Sequence, residues 1–404
     1  MTSTGTAPGD SRRPGLRLLI LQFGDYAEAA HRFARGEDET YYAQRYTVEY
    51  VAGLARAGAA VRVVSLGADA PLERLPSGVE SMGLRLYRGR FRRSRLGALL
   101  AAAAAWDPTH LLLQVPLPEL VRWAIRRGVQ VLPLLADSFR ARGLRPLLRA
   151  RRLAAALNAP EVGFVANHGP NAAADLVRIG VDPGKVLAFD WPALLPPDRF
   201  AAKRAPADPS RLRLVYAGAV TEAKGVGDLL AAVALARAAG CDYHATIAGA
   251  GELDAFRARA ARRGIADRVA LLGRQPHQAV LTLMNAGDVV VVPSRHAYPE
   301  GMPMTIYEGL SSRSPVLVSD HPMFRGRVVH RESAVVFPAG SPVALFEALQ
   351  SLAADAALYA RLSAAAAATC AGFFGPLKWD QLITRWLSAT ADDRAWLRSF
   401  ALGS

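Results

Sequence analysis

The chain has 404 residues, 51% of them hydrophobic and 21% charged, with 34 Gly and 26 Pro. This length suits two domains, and the composition excludes disordered, collagen-like and disulfide-stapled proteins. The formal net charge is +14, but only four of the 49 basic residues are lysines and the arginines are spread along the chain, so we expect no nucleic acid partner.

The N-terminal residues, the most hydrophobic run and the cysteines indicate the cellular compartment of the protein. Residues 1–14 are small, polar and rich in Pro and Gly, which predicts a disordered tail without the apolar core of a secretory signal. The most hydrophobic run, Leu96–Trp106, is well short of the ~20 residues that span a bilayer. Cys241 and Cys370 form no close-spaced motif. We therefore expect a cytoplasmic protein without a sulfur-based metal site.

The densest basic cluster predicts a peripheral contact with the inner membrane face or with an anionic acceptor. Its arginines are Arg85, Arg88, Arg90, Arg92, Arg93 and Arg95.

Short apolar runs alternate with longer amphipathic segments, which predicts parallel sheets flanked by helices. In the first half, strands are predicted at residues 16–22, 61–66, 110–115, 129–135 and 162–166, and the clearest helix at 41–57. The second half repeats the rhythm, with strands at 212–217, 243–248, 269–272, 289–292, 315–319 and 334–337. The economical interpretation is an α/β chain of two Rossmann-like domains in series.

The predicted domain boundaries follow the composition. They are an N-terminal Rossmann-like acceptor domain at 15–190, a proline-rich linker at 191–210, a C-terminal Rossmann-like donor domain at 211–375 and a helical tail at 376–404. The tail carries Trp379, Trp386 and Trp396. A single helix would place these indoles along one side, where they would anchor the tail to the body of the protein.

The first motif follows the first strand of the second half. A glycine turn at Gly218 leads through Lys224 into a helix predicted to begin near Val226. Such a turn aims backbone N–H groups and the positive helix end at an anion, and a compact ammonium suits a phosphate. The second strand ends in Gly249 and Gly251, which would let a backbone approach a ligand closely, although such a pair alone is often only a tight turn.

The second motif is a pair of carboxylates, Glu300 and Glu308, with seven residues between them. Pro303 is expected at the first position of a helix, which leaves Glu300 in the preceding loop and Glu308 on the helix. A loop carboxylate can accept hydrogen bonds from sugar hydroxyls, and a helix-borne one can take the two hydroxyls of a ribose. The N–H groups of Gly301 and Met302 would face a diphosphate.

Residues 212–349 resemble the donor-binding half of a retaining GT-B glycosyltransferase of the family 4 type (glycosyl transferases group 1). The resemblance lies in the order and spacing of the Glu-x7-Glu element, the Pro-Ser that ends the preceding strand, and the Pro-Val-Leu-Val-Ser-Asp that follows. It implies a GT-B architecture, in which two Rossmann-like domains face each other across a cleft and a C-terminal helix packs back toward the first. It also implies a nucleotide diphosphate sugar as co-substrate, transfer to an acceptor hydroxyl with retention, no cofactor and no required metal.

The resemblance also implies a role for particular residues. Lys224 would stabilise the leaving diphosphate, Glu308 would hold the ribose and Glu300 the sugar hydroxyls, while Arg274 falls where the family contacts the nucleobase. The family usually has Gly-Arg where this chain has Gly218-Ala219, so we expect Arg295 or an arginine of the first domain to substitute. Lys224 and Glu300 are the predicted catalytic residues. The predicted donor-binding residues are Gly24, Gly218, Lys224, Gly249, Gly251, Arg274, Arg295, Glu300, Gly301, Met302, Pro303 and Glu308.

Ligands of open α/β sheets bind at the carboxyl ends of strands, and in the first half this rule selects residues for the acceptor side. They are Asp25, Gln114, Asp137 and His168. The chain lacks the histidines that the family commonly has at Gln114 and Ala136. His168 has an alternative role as a capping residue before Pro170. Asp25, Asp137 and Glu39 suit a cationic acceptor, whereas the basic cluster suits an anionic one.

Two alternatives remain open. Another GT-B enzyme, such as a hydrolysing nucleotide-sugar epimerase or an inverting transferase, shares the architecture but needs other carboxylate or histidine placements. A sugar-nucleotide-binding protein without catalysis is the second. The sequence leaves open the nucleotide (UDP, GDP, TDP or ADP), the sugar, the acceptor and the oligomeric state.

Overall fold

The computed structural model describes residues 15–86, 92–140, 143–195 and 199–403. The predicted disordered tail at 1–14, together with Arg88 and Arg90 of the basic cluster, lies outside these ranges.

The first sheet, as described, has eight strands. They are β1 (Arg17–Gln22), β2 (Ala60–Ser65), β3 (Ala70–Arg74), β4 (Glu80–Gly83), β5 (His110–Leu113), β6 (Gln130–Leu135), β7 (Val165–His168) and β8 (Val186–Phe189). The flanking helices are α1 (Tyr26–Ala34), α2 (Gln44–Arg56), α3 (Leu96–Trp106), α4 (Pro118–Arg126), α5 (Leu144–Leu157) and α6 (Pro170–Arg178). The strand order is β3-β4-β2-β1-β5-β6-β7-β8, and the strands are parallel except where β3 meets β4.

The second sheet has six strands within the described ranges, all parallel. They are β9 (Arg213–Ala217), β10 (His244–Ala248), β11 (Val269–Gly273), β12 (Val289–Val292), β13 (Val316–Ser319) and β14 (Val335–Phe337). Its helices are α7 (Val226–Ala238), α8 (Leu253–Arg262), α9 (His277–Ala286), α10 (Met304–Ser311), α11 (Pro342–Ala354) and α12 (Ala356–Ala371). The order β11-β10-β9-β12-β13-β14 reverses between β9 and β12, so the carboxyl ends of these two strands mark the switch point where open sheets bind ligands.

The central strands are buried on both faces, which is why they read as unbroken apolar runs rather than as alternating ones. All four residues of β12 are valines, and all are buried. The six predicted strands of the second half fall within one residue of the observed ones. In the first half, the strand predicted at 162–166 lies at Val165–His168, and β3, β4 and β8 are additional strands that the pattern did not predict.

The C-terminal segment returns to the first sheet, as the predicted architecture requires. It forms two helices, α13 (Trp379–Ser388) and α14 (Ala391–Arg398), so the expectation of one helix is wrong. Ala389, with φ of 50°, ends the first of them in a left-handed conformation. Trp379 is 1% exposed and packs in the same core as Leu18 of β1, with Trp386 and Trp396 packed against that core. The three indoles therefore anchor the tail from two helices.

The proline-rich segment, described at 191–195 and 199–210, is held against the second half. Lys203 Nζ donates hydrogen bonds to the carbonyl oxygens of Asn285 and Gly287 and to Ser314 Oγ, at 2.5 to 2.6 Å. Burial lowers the pKa of Lys203 to about 8. This lysine fastens the segment to the ends of α9 and α10.

Within the described ranges, no single helix is long and apolar enough to cross a membrane. The helices α11 and α12 are long and apolar enough only when taken together, and they bend by 97° at the break between them.

Candidate active site at the cleft between the sheets

Two loops meet at the switch point of the second sheet. The loop after β9 carries Lys224, and the loop after β12 carries Ser294 and Glu300. Gly225, with φ of 77°, caps the start of α7, and a Cβ there would lie 2.0 Å from the carbonyl oxygen of Pro293. Only glycine lets the two loops touch. The predicted start of this helix at Val226 is confirmed.

Lys224 and Glu300 form a nearly buried ion pair. Lys224 Nζ lies 2.5 Å from Glu300 Oε1, with side-chain exposures of 13% and 6%. Ser294 Oγ donates a second hydrogen bond to Oε1, at 2.6 Å, and the Lys224 ammonium lies 4.5 Å from the ring centre of Tyr298. Both bonds converge on Oε1. Among the described residues none donates to Oε2, so one oxygen of a fixed carboxylate is left to accept from a ligand hydroxyl.

The glycines after β9 and β10 allow two backbone segments of the protein to pack closely against each other. A Cβ at Gly249 would lie 1.8 Å from the carbonyl oxygen of Gly218, and one at Gly251 would lie 2.3 Å from that of Val220. Backbone hydrogen bonds join the two loops, including Val220 N to the oxygen of Ala250 at 2.8 Å. The expected close approach is therefore found, but it is an approach between two loops, and a role in donor binding stays a prediction.

The helix-borne carboxylate is buried beside a histidine. Glu308 is 5% exposed, and its Oε1 lies 2.9 Å from His277 Nε2 at the start of α9. His277 Nδ1 lies 2.9 Å from Oε1 of Glu39, which comes from the loop between α1 and α2 in the first half. Burial acts to lower the pKa of His277, but hydrogen bonds to Glu308 and Glu39 outweigh it and raise the pKa to about 9.

The helix carrying Glu308 begins one residue later than the prediction. Pro303 is the residue before the helix, with an extended conformation, and α10 begins at Met304. The relative placement expected for the two glutamates is nevertheless found, with Glu300 in the loop and Glu308 in the second turn of the helix.

The first half meets this loop at Asp137. A Cβ at Gly301 would lie 2.7 Å from the carbonyl oxygen of Ala136, so the two walls of the cleft touch beside Glu300. Asp137 is half-buried. Burial and then the charge of Glu300 raise the pKa of Asp137 to about 6. Asp137 and Glu300, which come from opposite sheets, are therefore close enough for the charge of Glu300 to act on Asp137. Lys224 pairs with Glu300 at the same place.

His168 lies behind the cleft loop. It is 4% exposed, and its Nε2 lies 3.3 Å from Asp190 Oδ1. Tyr307 Oη donates to the other oxygen of Asp190, at 3.0 Å, and Gly375 N does so at 3.1 Å. Asp190 thereby joins β7, α10 and the returning tail. The structure gives His168 a buried partner, and Gly169, not His168, caps α6.

The remaining predicted residues are spread around the cleft. Arg295 donates two hydrogen bonds to Asp228, at 2.6 and 2.8 Å, and also lies 2.8 Å from Glu222, so its charge is already balanced by two carboxylates. Its role as a second phosphate cation stays a prediction. Arg274 is exposed after β11. Met302 is buried, and a Cβ at Gly169 of the first half would lie 3.4 Å from its Cβ.

Some of the predicted acceptor residues, at the strand ends of the first sheet, form hydrogen bonds within the protein. Asp25 caps α1 by accepting from Glu28 N at 3.1 Å, which employs one oxygen of this acceptor candidate. Gly24 and Gln114 are half-buried at the ends of the central strands β1 and β5. Both oxygens of Glu39 are engaged, one by His277 and the other by Arg45 N at 3.0 Å. Glu39 is therefore no free contact for a cationic acceptor.

The residues to which the sequence assigned no role in the site are His277, Tyr298 and Ser294, the last of which lies in the Pro-Ser of the resemblance. His277 begins a helix soon after the end of β11, and the rule that ligands bind at strand ends could have flagged it. Burial and the charges of Glu300 and Asp137 raise the pKa of Tyr298 to about 12. In the part of the chain that the structure describes, no group of three His, Cys, Asp or Glu side chains could hold a metal ion.

Comparisons with known proteins address the same half of the chain. Residues 198–369 match the profile of the family Glycosyl transferases group 1. The amylovoran biosynthesis glycosyltransferase AmsK of Erwinia amylovora is 29% identical over 153 residues, which cover 37% of this chain and 38% of AmsK. The alignment thus spans about two fifths of this curated relative.

Solved structures match over nearly the whole chain. Sucrose-phosphate synthase from Thermosynechococcus elongatus superposes with a TM-score of 0.68 at 19% identity, covering 93% of this chain and 100% of that one. HepE of Anabaena, in complex with UDP-glucose, gives a TM-score of 0.62 at 15% identity, covering 95% and 100%. The fold is therefore the two-domain GT-B fold with parallel sheets. The profile match links the second half of the chain to the family Glycosyl transferases group 1, and the structural matches show the fold.

Proposed function

We propose that this chain is a retaining, metal-independent glycosyltransferase of the family 4 type, of the hexosyltransferase kind. It would move a sugar from a nucleotide diphosphate sugar to an acceptor hydroxyl. The observation that carries the proposal is the buried Lys224–Glu300 pair, held at the switch point of the second sheet and faced by Asp137 of the first. HepE, of the same fold, is solved with UDP-glucose, and this supports a nucleotide-sugar donor.

The proposed reaction uses charge rather than a covalent intermediate. The bond from the anomeric carbon to the diphosphate oxygen breaks, the acceptor oxygen bonds to that carbon on the same face, and the departing phosphate takes the acceptor's proton. Lys224, with the N–H groups of Gly301 and Met302, stabilises the charge that develops on the diphosphate. Glu300 Oε2 accepts from a sugar hydroxyl and Glu308 from the ribose.

The acceptor would approach from the first half. Among the predicted acceptor residues, Asp137 is the one whose pKa is raised by the charge of Glu300, and its neighbour Ala136 lies against Gly301, next to Glu300. We propose Asp137 as the acceptor contact, with a sugar-containing or other hydroxyl-bearing acceptor. AmsK, a glycosyltransferase of amylovoran biosynthesis, supports a glycan acceptor.

The test is incubation of the protein with UDP-, GDP-, TDP- and ADP-sugars, followed by nuclear magnetic resonance of the products. We expect slow hydrolysis of one nucleotide class, releasing a sugar with the donor's anomeric configuration. Release of the opposite anomer would favour an inverting transferase, and an epimerised sugar would favour a hydrolysing epimerase. Binding without turnover in the presence of added acceptors would favour a binding protein.

Besides the predicted basic cluster, of which Arg88 and Arg90 lie outside the described residues, the helix α5 offers a surface for a peripheral membrane contact. In that cluster, Arg85 and Arg95 both pair with Asp69, and Arg93 lies 3.7 Å from Glu119. The first turns of α5 expose Leu144, Leu147 and Leu148 at 79, 46 and 51%, on one helical stripe. Exposed arginines accompany them, and the helix contains no acidic residue; these arginines are Arg145, Arg149, Arg151 and Arg152. We propose that this cytoplasmic protein contacts anionic lipid through α5.

Sedimentation with vesicles tests this contact. We expect wild type to bind phosphatidylglycerol-containing vesicles but not pure phosphatidylcholine, with binding weakened by salt. Changing Leu144 and Leu147 together to serine should reduce binding about 30-fold or more, since each exposed leucine contributes roughly 1 kcal/mol or more when buried in lipid and about 1.4 kcal/mol is a factor of ten. Leu272, which is 40% exposed in the second half, provides the control Leu272→Ser. Equal losses in both variants would contradict a role for α5.

A further inference from the structure

A loop of the first half reaches across to the second half at α9. This bridging loop, residues 37–43, places Asp38 and Glu39 against the start of that helix. His277 N donates to the carbonyl oxygen of Glu39 at 2.7 Å, and Gln278 N donates to Asp38 Oδ2 at 2.9 Å. The N–H groups that begin α9 are thus satisfied by the other half of the protein.

The bridging loop is held rigidly from its own side. The buried guanidinium of Arg32 donates to Glu28, to the carbonyl oxygen of Asp38 and to the Gln44 side chain, at 2.6 to 3.2 Å. Gln44 Oε1 also accepts from Thr40 N at 2.9 Å. Ala43 ends the loop with φ of 61°, a conformation that a non-glycine residue adopts only when its surroundings impose it. The loop therefore presents Glu39 in one fixed position.

His277 connects this fixed carboxylate to Glu308. Its two ring nitrogens lie 2.9 Å from Glu39 Oε1 and 2.9 Å from Glu308 Oε1, and the ring is 2% exposed. Since both partners are carboxylates, both nitrogens must donate, which requires the protonated imidazolium. The edge of the ring contacts Tyr42, whose hydroxyl is bound to the linker at Pro192. One side chain thus links the first half to the helix that bears the predicted ribose ligand.

We propose that Glu39 and His277 are positioning residues that orient Glu308 toward the donor ribose, so that ribose recognition depends on contact between the two halves. This inference rests on the proposed function, since it requires that Glu308 binds ribose. When the halves separate, His277 loses Glu39 and the imidazolium is left with Glu308 alone. Glu308 is then no longer oriented by the first half, and the two events, closure and ribose binding, favour one another.

The test compares a nucleoside diphosphate with its 2′,3′-dideoxy form. Calorimetry would give the Kd of both for the tightest binder among UDP, GDP, TDP and ADP. We expect Glu39→Gln to weaken binding of the hydroxyl-bearing form about tenfold, because that is the usual effect of losing a charge-assisted hydrogen bond. The Kd of the dideoxy form should not change. Glu37→Gln is the matched control, since Glu37 lies in the same loop but pairs with Arg35 at the surface.

The outcomes separate this inference from the proposed function. Equal weakening of both ligands by Glu39→Gln, or weakening of neither, would overturn the positioning role. Failure of the wild type to bind any of the four diphosphates would instead overturn the proposed function. His277→Gln, which keeps one donor, should reproduce the loss of ribose discrimination, but Glu39→Gln alone decides the matter if that variant does not fold.

A pH series gives a readout that a purely structural role would not change. The titratable groups around the imidazolium are Glu39, Glu308 and Tyr42, with Asp38 beside them on the N–H of Gln278. Because its pKa is raised to about 9, the contribution of His277 is complete below the ordinary value near ~6.5 and is lost as the pH rises through about 9. Ribose discrimination should therefore vanish above pH 9 in wild type and at lower pH in Glu39→Gln. Identical midpoints in both proteins would overturn the role of Glu39.

Discussion

Replacing Lys224 with alanine is expected to lower kcat for sugar transfer by about 100- to 1000-fold, the usual effect of removing one donor from a developing anion. The ammonium lies 2.5 Å from Glu300 Oε1, and the lysine side chain is 13% exposed, so this residue belongs to the ion pair of the site rather than to a hydrophobic core. We expect only a small change in the free energy of unfolding, because Ser294 still donates to the remaining carboxylate. Steady-state kinetics at saturating donor measures the effect.

Lys203 provides a matched control for this prediction, because it is another half-buried lysine that contacts the second half. Its ammonium donates to two carbonyl oxygens and a hydroxyl and faces no cleft residue. Lys203→Ala should therefore destabilise the fold by about 2 kcal/mol or more, through buried acceptors left unpaired, and leave kcat of the folded protein unchanged. If Lys224→Ala retained full turnover, or if both variants lost activity in proportion to stability, the leaving-group role of Lys224 would be wrong.

Replacing Gly249 with alanine is expected to destabilise the second half by about 3 kcal/mol or more, since a strained φ and a steric clash act together. The residue has φ of 145°, and the added Cβ would lie 1.8 Å from the carbonyl oxygen of Gly218. The loops after β9 and β10 must then separate, which also displaces the loop that carries Lys224. Differential scanning calorimetry gives the change in stability, and amide exchange at residues 213–251 locates it.

Gly240→Ala separates the two causes. Gly240 also has a positive φ, 81°, but a Cβ there meets nothing within 4 Å. Its replacement should cost about 1 kcal/mol, the conformational penalty alone. A similar loss of stability in Gly249→Ala and Gly240→Ala would mean that the clash at Gly249 is relieved at little cost. The loops after β9 and β10 would then be packed less tightly than their geometry indicates.

The parts of the fold that the sequence predicted well are those fixed by local pattern. A parallel strand buried on both faces has to be a short apolar run, and Val289–Val292 was predicted with its observed bounds. The edge strand β3 and its neighbour β4, with sequences APLER and ESMG, lack that pattern. They are held by pairing, β3 with β4 and β4 with both β3 and β2, rather than by a buried apolar run of their own. The tail was predicted as one helix because periodicity does not register a single left-handed residue such as Ala389.

The residues of the candidate site likewise fall into those that a local sequence pattern predicts and those that it does not. Lys224, Glu300 and Glu308 lie in contiguous motifs, and the sequence placed them correctly relative to their strands and helices. The bond between Glu39 and His277 joins residues 238 positions apart, and no local signal encodes it. Likewise, the balancing of Arg295 by Asp228 depends on how α7 packs beside the loop after β12. Partners across the cleft follow from the assembled fold, not from spacing.

The return of the tail to the first sheet has a consequence for synthesis on the ribosome. The core around Leu18 and Ile20 is completed by Leu377, Trp379 and Ile383 from the far end of the chain. At ~5–20 residues per second, the first sheet is made roughly 10–40 s before these residues emerge. During that interval, its apolar face is uncovered and available to chaperones or to aggregation. C-terminal truncations should therefore damage the first half of the protein, although they remove residues that follow the second.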